Sequence, residues 1–92
     1  MHELMNVEFT PQKAEWMTID QYELALLIYR LSMWMMQERI MHEYRATMQN
    51  GCVRLFVHSI VSGKIWLVYL QAESEYESIK AQITEFIENY RR

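Results

Sequence analysis

Residues Leu4–Phe9 alternate, with Met5, Val7 and Phe9 apolar against Asn6 and Glu8. That is the period of a half-buried strand, blurred only by Leu4. Thr10-Pro11 then reads as an N-cap followed by proline at the first helical position, where its missing N–H costs nothing. Thr18-Ile19-Asp20-Gln21 repeats the start signal as a capping box, so the helix either runs on from Pro11 or breaks near Thr18. Between Ile19 and Gln49 there is no glycine or proline, and leucine, methionine, glutamate, glutamine and arginine dominate. These side chains lose little rotamer freedom in a helix, which predicts one long central helix closed by Asn50-Gly51. About thirty helical residues would span ~45 Å, more than the diameter of a domain this size.

Val53–Val61 and Lys64–Gln71 are rich in valine, isoleucine, leucine and aromatics, and Ser62-Gly63 separates them. This predicts a hairpin with a two-residue turn, setting Ile60 opposite Ile65, Val57 opposite Val68 and Leu55 opposite Leu70. One face would carry Leu55, Val57, Val61, Trp66, Val68 and Leu70. The other would carry Phe56, Ile60, Ile65, Leu67 and Tyr69, with Arg54 and His58 beside them. A hairpin apolar on both sides needs cover on both. Ser74-Glu75-Tyr76-Glu77 has the form of a further capping box, opening a helix whose Tyr76, Ile79, Ile83, Phe86, Ile87 and Tyr90 make one buried stripe. The predicted class is α+β: a small antiparallel sheet, the hairpin plus an N-terminal strand, packed with a long central helix and a C-terminal amphipathic helix. The predicted order is β-α-β-β-α, with residues 1–92 forming one domain.

At 100° per residue the long helix carries two apolar stripes. Tyr22, Leu26, Tyr29, Met33, Met36, Ile40 and Tyr44 form the first. The second holds Leu24, Leu27, Leu31, Trp34, Met41 and Met48, with Glu38 and Arg45 in the same series and Arg30 one turn before Trp34. One stripe docks a helix on its own sheet. The surplus stripe predicts a partner, because leaving it in water forgoes ~1.5–3 kcal/mol per large side chain. The expected remedy is a homodimer in which Glu38 meets Arg45 of the other copy, with Trp34 stacked on Arg30 as an anchor. In a monomer, the C-terminal helix or the N-terminal strand would have to cover that stripe instead.

Composition narrows the function classes. With 51% apolar and 13% aromatic residues the chain of 92 folds, and a net charge of −3 with a pI near 5.6 disfavours a phosphate backbone as default partner. Cys52 is the one cysteine, which excludes an internal disulfide and a Cys-rich zinc site, and fits a reducing compartment. Met1-His2-Glu3-Leu4 lacks the basic and apolar regions of a signal peptide, and the longest apolar stretch, Leu24–Met36, is broken by Arg30 and Ser32. The expected setting is cytoplasmic, with no membrane span. Eight methionines, five of them from Met33 to Met48, suit either a forgiving core or an adaptable surface.

The sequence offers little catalytic chemistry. His42 has no second histidine four residues away to complete a zinc pair, and reads as a solvated helix residue. His58 reads as a satisfied sheet histidine; Cys52, six residues before it on one strand, would lie ~20 Å away. Ser62-Gly63-Lys64 lacks the upstream glycine and the following helix of a phosphate loop. The order β-α-(α)-β-β-α resembles the KH-type RNA-binding arrangement, but the Gly-rich clamp loop is missing because no glycine precedes Gly51. The expectation is a non-enzymatic protein-interaction module, an adaptor, inhibitor or chaperone for a larger protein, with no cofactor and no metal. Its binding residues would be Leu24, Leu27, Arg30, Leu31, Trp34, Glu38, Met41, Arg45 and Met48. The alternative is a dimeric nucleic-acid-binding regulator gathering Arg39, Arg45 and Arg54, and the third a small-molecule sensor lined by Tyr22, Tyr29 and Trp66.

Overall fold

Thr18 starts the first helix as the capping box requires: its hydroxyl accepts from the Gln21 amide at 3.0 Å, and the Gln21 side chain accepts from the Thr18 amide at 2.8 Å. In this computed structural model, which describes residues 12–46 and 51–90, helix α1 spans Ile19–Gln37 and is followed by strands β1 (Met41–Ala46), β2 (Val53–His58) and β3 (Ile65–Leu70) and helix α2 (Tyr76–Asn89). The class is α+β, and among the described residues the order is α-β-β-β-α rather than β-α-β-β-α. The N-terminal strand expected at Leu4–Phe9 lies outside the described residues.

The long helix stops a dozen residues before Gln49. The Arg39 amide bonds to the Met36 carbonyl at 3.2 Å, and the Ile40 amide to the Met35 carbonyl at 2.8 Å. These two bonds form a Schellman stop, in which the residue just beyond the cap turns left-handed and the next returns to the core. Arg39 takes that position at φ 59°, where glycine is the usual occupant, and Ile40 packs on the core. Met41–Ala46 then extends as β1. Met41 and Arg45, expected on a helical seam, are therefore strand residues.

The sheet is an antiparallel meander, β1-β2-β3. Its hairpin faces agree with the expected pattern, but its register differs: Val57 pairs with Trp66, and Leu55 with Val68. The connection is longer than two residues because the strands close at Ser59, whose amide bonds to the Lys64 carbonyl at 2.8 Å. Gly63 turns left-handed at φ 76° and returns its amide to the Ser59 carbonyl at 2.7 Å. The buried Ser59 hydroxyl receives the Ser62 hydroxyl at 3.0 Å and donates to the Tyr90 carbonyl at 3.3 Å, tying the turn to the end of α2. A register change of two residues preserves which side chains face inward.

Both helices pack on one side of the sheet. Leu24, Leu27, Leu31 and Met35 of α1, Leu55, Val57 and Leu70 of the sheet, and Ile79, Ile83 and Phe86 of α2 form one buried cluster. The α2 stripe is the one its spacing predicts, but its start differs. Glu75 is the N-cap without a side-chain bond, while the Ser74 hydroxyl accepts from the Gln71 amide at 3.0 Å. The second capping box does not form.

Candidate functional site

The two stripes of α1 exchange the roles expected of them. Leu24, Leu27 and Leu31 are 7%, 6% and 0% exposed within the single chain, so the seam assigned to a partner is core. Trp34 is half-buried against it. The stripe expected to dock holds Tyr22, Leu26 and Tyr29, half-buried, and Met33 and Met36, exposed. The reason lies in the early end of the helix: once β1 folds back under α1, sheet and α2 cover the Leu24–Leu31 side. Arg30 does not stack on Trp34. Its guanidinium lies 3.9 Å over the Tyr76 ring, and Lys80 Nζ is 5.3 Å from the Trp34 ring. Glu38 is the exposed C-cap of α1, and Met48 lies outside the described residues.

What the helices leave uncovered is the other side of the sheet. The register puts three rows of residues across it: Met41, His58 and Ile65; Glu43, Phe56 and Leu67; Arg45, Arg54 and Tyr69. Alternation sends the intervening residues inward, where Tyr44 donates its hydroxyl to the Ile28 carbonyl at 3.3 Å and Trp66 stacks on Phe86 at 6.4 Å. Met41, Ile65, Leu67 and Tyr69 are exposed, from 43% at Leu67 to 57% at Met41, around a half-buried Phe56.

Phe56 is the centre of this face. The Arg45 and Arg54 guanidinium carbons lie 5.5 and 5.8 Å from its ring centre, within cation–π range. Glu43 Oε2 accepts from Arg45 Nη2 at 3.5 Å and stands 4.0 Å from His58 Nε2. Arg54 Nε is buried without a hydrogen-bond partner among the described residues, an uncompensated donor. Two arginines against one glutamate make the face net positive in a chain of net charge −3. Arg45 and Arg54 are cross-strand neighbours within one chain, whereas Arg39 sits apart in the α1–β1 connection.

The other candidate residues disperse. His42 is not a solvated helix residue but a half-buried strand residue: its Nδ1 is 2.9 Å from the Ile40 carbonyl and its Nε2 3.4 Å from the Ser32 hydroxyl. Burial pushes the Tyr44 phenol well above its ordinary range. A cleft of about 200 Å³ lies at the end of the molecule among Trp34, Ile40, Ile60, Ile87 and Tyr90. A second cleft, beside α1, includes Tyr29 but neither Tyr22 nor Trp66, so the expected sensor lining is not brought together there. Among the described residues no cluster of His, Cys, Asp or Glu could hold a metal ion, and no helix is long and apolar enough to cross a membrane. Comparison with known protein families, with characterised proteins and with solved structures returns no match.

Proposed function

We propose that this chain is a non-enzymatic protein-interaction module that binds its partner on the open face of the sheet. The observation that carries this reading is the three-by-three array centred on Phe56. It combines Met41, Phe56, Tyr69 and two arginines, residue types enriched where proteins meet, with exposed Ile65 and Leu67 and no lysine. At roughly 200 Å² per large side chain, its exposed portions amount to ~700–800 Å², about one partner's share of a standard interface. A net positive face on an acidic chain favours a partner whose rim is acidic.

The test is quantitative affinity capture from the native host with the wild-type chain and two face variants, Phe56→Thr and Arg45→Glu. Threonine keeps strand propensity while removing the ring. Proteins that bind this face drop at least about tenfold in both variants. Equal recovery by all three chains contradicts the reading.

The paired arginines over Phe56, beside Tyr69, favour single-stranded nucleic acid as the second reading: bases stack on the rings while the guanidinium groups meet phosphates. Two phosphate contacts predict a log–log salt slope of about −1.4. Absence of binding to mixed-sequence DNA and RNA oligonucleotides at low salt removes it.

A further inference from the structure

The edge of β3 carries an inference that the face does not. Because the Ser59 amide meets the Lys64 carbonyl, alternation makes Val57–Trp66, Leu55–Val68 and Val53–Leu70 the hydrogen-bonded pairs of the β2–β3 ladder. The N–H and C=O groups of Ile65, Leu67 and Tyr69 therefore point away from β2, along an edge beyond which no described strand lies. Edge strands are ordinarily protected by charge, proline or a bulge. β1, the other edge, carries Glu43 and Arg45. β3 reads Ile-Trp-Leu-Val-Tyr-Leu, six residues with no charge, no proline and an unbroken register.

We infer that β3 pairs antiparallel with β3 of a second copy of this chain, joining two three-stranded sheets into one of six. The occupant follows from the pattern of the edge. With Leu67 opposite Leu67 across a two-fold axis, the outward groups of Ile65 face those of Tyr69 in the other copy, so every outward donor on β3 meets an outward acceptor. The same register sets Ile65 beside Tyr69 on the open face and Trp66 beside Val68 on the inner face, apolar pairs throughout. No like charges meet. The axis stands perpendicular to the sheet, so the two open faces become one continuous surface of twice the width. The inference goes beyond the interaction reading, because the edge of β3 is separate from the open face.

Leu67→Pro tests it selectively. The Leu67 N–H makes no bond to β2, so proline removes a donor only from the edge, a position it tolerates. Sedimentation equilibrium of the wild-type chain gives twice the 11.2 kDa of one copy at about 100 μM. Leu67→Pro, with unchanged near-ultraviolet circular dichroism, associates at least ~30-fold more weakly, from two lost hydrogen bonds at ~1 kcal/mol each. If proline perturbs the fold, Leu67→Cys in a Cys52→Ser background reads the same geometry. Cα atoms ~5.5 Å apart across the axis permit a disulfide, so this variant cross-links to itself on mild oxidation. Ile65→Cys in that background does not. A monomeric wild-type chain, a Leu67→Pro chain that dimerises undiminished, or self-linking by Ile65→Cys in preference to Leu67→Cys each overturns the inference. Phe56→Thr separates the two claims, because it removes capture of a face-bound partner while leaving this dimer intact.

Discussion

Replacing Leu31 by alanine distinguishes a helical seam that is core from one that is an interface. Leu31 is fully buried, in one cluster with Leu55 and Val57 of the sheet and Ile83 of α2. Truncation removes the transfer free energy of the lost carbons and leaves a cavity that rigid neighbours on two layers fill poorly. The expected cost is about 3–4 kcal/mol. A chain this size has roughly 5–14 kcal/mol of total stability, so the variant folds at 25 °C but melts roughly 15–25 °C lower. Urea unfolding followed by circular dichroism reads the effect as a lower midpoint at unchanged m. The loss is the same at low and high protein concentration, because the missing contacts lie within one chain. Met36→Ala, on the exposed side of the same helix, changes stability by less than about 0.5 kcal/mol. A Leu31→Ala cost under ~1 kcal/mol, or one that appears only at concentrations where the wild type self-associates, would refute the burial argument.

Three further outcomes follow from single residues. Arg39→Gly relieves the left-handed strain at the end of α1, offset by glycine's freedom in the unfolded chain; it raises stability by about 0.5–1 kcal/mol, and a fall in melting temperature would contradict the Schellman stop. Thr18→Ala removes the cap on the Gln21 amide and costs about 1 kcal/mol in urea melts, and an unchanged midpoint would show that the capping box contributes nothing. The buried Tyr44 phenol ionises above its unfolded value of 10.0, so the folded state holds its proton longer and stability falls as pH rises past 10. In spectrophotometric titration, the signal that Tyr44→Phe removes appears only with alkaline unfolding; its appearance near pH 10 with the fold intact counts against the burial of Tyr44.

Periodicity was informative wherever one element had one buried side. The α2 stripe and the two faces of the hairpin are visible in the sequence because their apolar spacing matches a single period. The end of α1 is hidden for a specific reason. Arginine occupies the left-handed stop, so Gln37-Glu38-Arg39-Ile40 contains no punctuating glycine, and Ile40 and Tyr44 stand four apart as though the helix continued. Without a visible stop, the spacing places Met41 and Arg45 on a helical seam, although both are strand residues. Met41 and Arg45 are candidates by sequence and by structure, but their neighbours Phe56, Leu67 and Tyr69 come from the hairpin, and only β1 gathers them. The hairpin register differs by two residues from the one Ser62-Gly63 suggests because Ser59, through three hydrogen bonds of its side chain, closes the strands earlier. The twofold pleat keeps the same side chains on each face.

The outside of the sheet is open apolar surface, and the inner side of α1 is sealed. Methyl-resolved NMR of the dilute chain with a soluble paramagnetic probe measures this directly. The expected result is strong broadening of the Met41, Ile65 and Leu67 methyl signals and shielding of those from Leu24, Leu27, Leu31 and Met35. Broadened Leu27 and Leu31 methyls beside a shielded Leu67 would contradict it.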